Sequence, residues 1–283
     1  MMKNYLSLIK FSHTIFAMPF ALIGFFLACQ DFEFEIIKLF YVITCMILAR
    51  SSAMAFNRYI DREIDKKNIR TAEIREIPNG TIKAKNALIF VIINSILFVI
   101  VTYFINTICF YLSPVALLII LGYSYTKRFT SLCHIILGLG LSLSPIGAYL
   151  AVAGQFDLTP LLMSFLVLFW VSGFDIIYSL QDKEFDENNN LNSIPVLLGV
   201  KKGLWFSRFL HLIAIVLIIV IGSQNNFQYF YWIGSLLFIG LLFLQHSIIK
   251  EDDFSKINIA FFTTNGVASI IFCVFVLLDI FIN

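Results

Sequence analysis

Nine apolar runs of roughly 17–25 residues follow one another along the chain, at about 14–30, 36–56, 86–104, 108–125, 131–153, 160–180, 204–222, 228–248 and 257–281. A helix rises about 1.5 Å per residue, so a run of that length crosses the roughly 30 Å hydrocarbon core of a bilayer. Inside lipid every backbone N–H and C=O needs a protein partner, and a helix supplies all of them within one segment. The expected fold is therefore all-α, a polytopic membrane protein of nine transmembrane helices. The composition agrees, with 59% hydrophobic and 13% charged residues, against roughly a quarter charged in soluble domains. Only "INT" separates the third and fourth runs, which suits a tight hairpin. No soluble domain is left over, so residues 1–283 are expected to form one transmembrane domain. Its expected surroundings are a lipid bilayer, with no nucleic-acid partner.

Charge orients the runs. Arg58, Arg62, Lys66, Lys67, Arg70, Arg75, Lys83 and Lys85 cluster between the second and third runs. Lys127 and Arg128 follow the fourth, and Lys183, Lys201, Lys202 and Arg208 lie around the polar stretch after the sixth. Lys250 and Lys256 follow the eighth run, Lys3 and Lys10 precede the first, and only Lys38 falls on the opposite side. The positive-inside rule then predicts a cytoplasmic N-terminus and an external C-terminus in a cell inner (plasma) membrane. Cys29, Cys45, Cys109, Cys133 and Cys273 form no CxxC and lie in or beside apolar runs. They read as small buried hydrophobes, with no disulfide framework and no zinc site.

The two longest polar stretches, 57–85 and 181–203, are both cytoplasmic on this reading. The first opens with "NRYIDREID", residues 57–65, which places Asn57, Asp61 and Asp65 four residues apart. On a helix these oxygen-bearing side chains stack near one face, and carboxylates so spaced repel. The second contains "DIIYSLQDKEFD", residues 175–186, which puts Asp175, Tyr178 and Asp182 on one helix face. Asp186 continues that face if the helix persists. A hard divalent cation would reconcile such carboxylates. Mg²⁺ takes oxygen ligands, habitually a few carboxylates plus substrate phosphates. The pair of motifs thus points to a Mg²⁺–diphosphate site; the plainer alternative is two solvated helix ends. Arg50, inside the second run and seven residues before Asn57, is an intramembrane cation and hence a functional candidate.

The same segments resemble a known family. "NRYIDREID" followed by "RTAEIREIPNG", and "DIIYSLQD" followed by "KEFD", are similar to the two aspartate-rich motifs, NxxxDxxxD and DxxYxxxD, of the UbiA superfamily of intramembrane aromatic prenyltransferases. "IKFSHTIFAMPFAL" (9–22), "YTKRFT" (125–130) and "NSIPVLLG" (192–199) resemble its 4-hydroxybenzoate polyprenyltransferase-like branch. The resemblance implies nine helices around a central cavity. It also implies Mg²⁺-dependent transfer of a polyprenyl group from its diphosphate to an aromatic acid. Carried over by position, Asn57, Asp61 and Asp65 would serve one Mg²⁺–diphosphate face, and Asp175, Asp182 and Asp186 the other. Arg58 stands where many relatives have Asp, and "ENNNLN" (187–192) is more polar than the usual Gly-containing stretch.

The implied reaction assigns further roles. Lys127, Arg128, Arg70 and Arg75 are candidates for stabilising the departing diphosphate. Tyr178 could position the diphosphate or shield an allylic cation. Arg50 would hold the carboxylate of the acceptor. Asp182 or the released diphosphate could take the ring proton. His13 could contact substrate or be structural, and Asn265 in the ninth run reads as a hydrogen bond to a neighbouring helix. The expected acceptor is 4-hydroxybenzoate, for ubiquinone-type synthesis, with a dihydroxynaphthoate, for menaquinone, as the alternative. A cation transporter is disfavoured because the acids gather at one membrane face with no relay through the midplane. A lipid-headgroup transferase is disfavoured because no DGxxAR motif occurs.

Overall fold

The computed structural model describes residues 2–9 and 16–282. His13 and the first residues of the first expected span lie outside them. In chain order the helices are α1 (Met2–Leu8), α2 (Met18–Ala28), α3 (Ile36–Ile60), α4 (Arg62–Lys67), α5 (Ile69–Ala72), α6 (Ala84–Ile105), α7 (Thr107–Thr126), α8 (Cys133–Ala153), α9 (Leu158–Ser179), α10 (Lys183–Asn188), α11 (Ile194–Gln224), α12 (Tyr229–Ile248) and α13 (Asn265–Ile282). No strand occurs among the described residues. Eight of these segments are long and apolar enough to cross a membrane, and α2 is a shorter apolar helix of 11 residues. Every expected span therefore falls on a helix. All five cysteines are free thiols.

The chain divides into two compact units. The first comprises residues 2–9 and 36–125. Here α3 packs along α6, joined by a Ser95-to-Ser52 hydroxyl hydrogen bond of 3.3 Å. Beside it α1 places Leu8 and Ile9 against Ala55, Ile82, Ala87 and Val91. Only Asn106 separates α6 from α7. Its backbone is extended (φ −169°, ψ 170°), and its side-chain oxygen accepts from the Cys109 N–H at 2.9 Å, capping the incoming helix. Isoleucines and phenylalanines of α6, Ile92, Ile96 and Phe104 among them, stay exposed as a lipid-facing surface requires.

The second unit comprises residues 16–35 and 126–282. Helix α9 packs between α8 and α11, α2 packs on α8, and α12 on α13. Its core is aromatic: Trp170, Tyr231, Phe20, Phe25, Phe174, Phe238 and Phe272 are all fully buried. Close backbone approach makes this possible. A Cβ on Gly24 would sit 2.1 Å from the Pro145 carbonyl oxygen, so α2 can meet α8 only with glycine there. Helix α11 starts ten residues before the expected apolar run. Pro195 lies in its first turn and the Ser193 hydroxyl accepts from the Val196 N–H at 3.3 Å, a normal helix start. At Gly199 the backbone turns to φ 78°, ψ 168°, so a short first segment is bent away from the long apolar one.

The start of α12 is capped across helices. Asp279 of α13, 4% exposed, accepts from the Gln228 N–H at 2.9 Å and the Tyr231 N–H at 3.0 Å. A carboxylate there serves N–H groups that have no partner within α12 and meets the positive end of its dipole. Asp279→Ala is expected to cost about 2 kcal/mol. Thermal unfolding in detergent should show a lowered midpoint, with a smaller drop for Asp279→Asn. An unchanged midpoint for the alanine variant would remove this cap from the account.

Candidate active site

In the first unit, the segment 57–65 remains helically wound although α3 ends at Ile60. The Asp61 N–H donates to the Asn57 carbonyl at 2.9 Å, and the Asp65 N–H to the Asp61 carbonyl at 2.7 Å. Asn57, Asp61 and Asp65 therefore succeed one another turn by turn, as the spacing predicts. The Asn57 amide nitrogen donates to Asp61 Oδ2 at 2.8 Å, which leaves the Asn57 amide oxygen turned to other partners. Asp61 is half-buried, and Asp65 is buried at 4% exposure.

Asp65 is held from two directions. Its Oδ1 forms an ion pair with the Arg75 guanidinium, and its backbone carbonyl accepts from the Thr71 hydroxyl at 2.8 Å. Its Oδ2 is buried with no hydrogen-bond partner among the described residues. The short helices α4 and α5 fold the chain back so that Arg75 reaches Asp65. The Asn68 side chain supports that turn by accepting from the Arg70 N–H at 3.0 Å. Arg58 is buried and interacts electrostatically with Asp65, Glu76 and Arg75. Glu76 is itself buried and accepts from the Ser7 hydroxyl of α1. Arg58 is thus a buried cation set among two acids, Asp65 and Glu76, and a second cation, Arg75. Arg50 lies two turns deeper in α3; its Nε is buried with no hydrogen-bond partner among the described residues.

In the second unit, Asp175 and Tyr178 lie in the last turns of α9, Asp182 ends a 3₁₀ turn (Leu180–Asp182), and Asp186 is in α10. The helix does not run straight through the motif, because it tightens at Leu180 and restarts at Lys183. The Asp175 carboxylate lies 2.7 Å from His134 Nδ1. The Ile194 N–H approaches the other ring nitrogen, Nε2, at 3.3 Å, and an N–H at Nδ1 faces the Asp175 carboxylate. Asp182 and Tyr178 are half-buried. Asp186, 1% exposed, forms an ion pair with Lys127 Nζ at 2.7 Å.

"YTKRFT" and "ENNNLN" meet here. The Asn192 N–H donates to the Lys127 carbonyl at 2.7 Å, and the Leu191 N–H to the Asp186 carbonyl at 2.9 Å. Asn190 adopts φ 53°. Asparagine enters this left-handed region more readily than most residues, so the polar stretch can close a tight turn without glycine. The result is a Lys127 side chain fixed over the motif by both its backbone and its charge. Arg128 is half-buried beside it.

Each unit therefore pairs an acidic motif with a cation from outside the motif: Asp65 with Arg75 of the same polar stretch, and Asp186 with Lys127 of the loop before α8. His134 was not foreseen. An ionisable residue at the start of the fifth apolar run was the available signal, but no spacing connects it to Asp175. Among the described residues no three His, Cys, Asp or Glu side chains cluster tightly enough to hold a metal by themselves. The donor set still suits Mg²⁺. It consists of hard oxygens, includes a buried carboxylate oxygen on Asp65 with no hydrogen bond, and is too sparse for a closed all-protein cage, which Mg²⁺ seldom uses.

Comparison with known proteins adds to this geometry. The model of the UbiA prenyltransferase family matches residues 17–267. A 4-hydroxybenzoate octaprenyltransferase of Tolumonas auensis is 30% identical over 227 residues, 80% of this chain and 79% of that one. The apo structure of a UbiA homolog from Aeropyrum pernix K1 superposes with a TM-score of 0.86 at 29% identity, covering 94% of this chain and 98% of that one. A UbiA homolog from Archaeoglobus fulgidus, bound to GPP and Mg²⁺, shares the fold with a TM-score of 0.77 at 19% identity, covering 98% of this chain and 99% of that one.

Proposed function

The chain belongs to the UbiA prenyltransferase family, and from that premise we propose that it transfers a polyprenyl group from polyprenyl diphosphate to 4-hydroxybenzoate in respiratory quinone biosynthesis. The observation that carries the acceptor is the 30% identity, over 80% of the chain, to a 4-hydroxybenzoate octaprenyltransferase. On this reading Asn57, Asp61 and Asp65 are the residues of the first motif that would hold Mg²⁺, and Asp175, Asp182 and Asp186 those of the second. A bound Mg²⁺ supplies positive charge to the diphosphate and so eases its departure. The GPP and Mg²⁺ held by the Archaeoglobus fulgidus homolog support that assignment by analogy. The lopsided distribution of Lys and Arg supports a cytoplasmic placing of both motifs in an inner membrane.

The chain's own side chains then divide the work. Arg70, Arg75, Lys127 and Arg128 bind the diphosphate and stabilise its growing charge as the allylic C–O bond breaks. Asp65 and Asp186 hold Arg75 and Lys127 in place, so less freedom is lost when the diphosphate arrives. His134 orients Asp175 through the Nδ1–H. Tyr178 lies between Asp175 and Asp182 in the motif and positions the diphosphate. Arg50 receives the acceptor carboxylate, which presents the ring to the allylic carbon. Asp182 or the released diphosphate accepts the ring proton once the new C–C bond has formed.

Purified protein given a polyprenyl diphosphate and Mg²⁺, with 4-hydroxybenzoate and a dihydroxynaphthoate in parallel, tests the reading. Mass spectrometry should find prenylated 4-hydroxybenzoate. Product from the naphthoate alone would overturn the acceptor. No product from either, with cation flux into liposomes lacking any lipid substrate, would overturn the enzyme.

A further inference from the structure

Helix α13 is preceded by a widened turn, Ile259–Thr264, wound with i→i+5 bonds. Such π-turns are rare and gather at functional sites. One extra residue in a turn rotates the following register by roughly 100°, so the turn sets which way the preceding side chains face. Its carbonyls are claimed by side chains. The Thr264 hydroxyl donates to the Ile259 carbonyl at 3.0 Å, and the Gln245 amide of α12 donates to the Ala260 carbonyl at 2.8 Å. Asn265, fully buried, donates to the Ala260 carbonyl at 3.1 Å and the Phe261 carbonyl at 2.9 Å. Its own oxygen accepts from Trp170 Nε1 of α9 at 3.1 Å. The Asn265 amide is thus used on both sides, and it ties α9 to the wide turn.

The turn carries Phe261. That ring lies 4.1 Å from the Tyr178 ring, centroid to centroid, and 5.3 Å from Phe174 edge-on. Tyr178 stands between Asp175 and Asp182 on α9, the helix that Asn265 grips through Trp170. Two links therefore join the same helix to the same turn, one polar at Trp170 and one aromatic at Tyr178.

We propose that Asn265 is a positioning residue for the second acidic motif: it holds the wide turn so that Phe261 fixes the Tyr178 ring in its diphosphate-binding orientation. The inference rests on the reading of that motif as a diphosphate-binding element. A leucine at 265 fills the space but removes the side-chain partner of Trp170 Nε1 and of the Phe261 carbonyl and leaves Gln245 alone at Ala260, so the turn reverts towards regular winding and Phe261 leaves Tyr178.

The test is a double-mutant cycle on the full chain in detergent, reading the dissociation constant of geranyl diphosphate with Mg²⁺. Asn265→Leu and Tyr178→Leu should each weaken binding about tenfold. The double variant should bind within about twofold of Tyr178→Leu, because both changes remove one interaction. The KM for the aromatic acceptor should stay within about twofold in Asn265→Leu, which sets the effect apart from general loosening. Independent losses that multiply to about a hundredfold would overturn the inference, as would wild-type binding in Asn265→Leu or Tyr178→Leu. Should Asn265→Leu fail to remain monodisperse, Phe261→Leu takes its place in the cycle, and Phe261→Tyr, which keeps the ring, should recover most of the loss. Equal losses in the two Phe261 variants would also overturn it. Failure of the wild-type chain to bind geranyl diphosphate would instead strike at the functional reading itself.

Discussion

Asp61→Ala and Asp182→Ala should each lower the rate of prenyl transfer by on the order of a hundred- to a thousandfold, the scale seen when one preorganised charge-stabilising group is removed from an active site. The two residues come from different units and different helix ends, and losses of like size are expected because each carboxylate is read as a Mg²⁺ ligand within its own motif. Both are half-buried, unlike the deeply paired Asp65 and Asp186. Their removal should therefore impair chemistry more than folding. The comparison variant is Lys38→Ala, at the opposite end of α3 and outside either motif; it should retain activity. Steady-state rates at stepped Mg²⁺ concentrations, with size-exclusion profiles to verify folding, give the answer. Raised Mg²⁺ should recover part of the Asp61→Ala loss. Wild-type rates in either aspartate variant would end the metal assignment.

Arg50→Ala has the second largest expected effect, confined to one substrate. A charge-assisted hydrogen bond to a carboxylate is worth about 1.5–3 kcal/mol, or roughly a ten- to hundredfold change in affinity. The KM for 4-hydroxybenzoate should rise by that factor, while the dissociation constant for geranyl diphosphate stays within about twofold. The structural ground is the buried Nε of Arg50, which has no hydrogen-bond partner among the described residues. A buried Nε left so in an apolar segment is costly unless a ligand completes it. Arg50→Lys keeps the charge but loses the planar fork, so an intermediate rise is expected. Equal weakening of diphosphate and acceptor would show that Arg50 serves the diphosphate instead.

Hydropathy alone placed the spans, because an apolar run of membrane length has few alternatives to a helix. The acidic motifs were legible too: Asn57, Asp61 and Asp65 follow one another by helical hydrogen bonds, as their spacing implies. Long-range partners were not. Arg75 is ten residues from Asp65, Lys127 fifty-nine from Asp186, and His134 forty-one from Asp175. No periodicity relates residues brought together by tertiary packing. The hydrogen bond of Asn265 to a neighbouring helix was anticipated, and Trp170 supplies it. The wide turn before it was not, since "IAFFTT" reads as ordinary apolar helix. What distinguishes it is a set of side-chain hydrogen bonds to its backbone carbonyls, from Thr264 within the turn, Asn265 just after it and Gln245 of α12.

The solitary extended residue at Asn106 has a consequence for biogenesis. A link of one residue leaves α6 and α7 almost no slack, and it is tied to the second helix, its carbonyl accepting from the Phe110 N–H at 3.1 Å and its side chain from the Cys109 N–H at 2.9 Å. Neither helix can then settle in the bilayer at its own depth. The two must partition from the translocation machinery as a single hairpin, so lengthening this corner by a few glycines would uncouple their insertion while leaving every side chain of the hairpin in place.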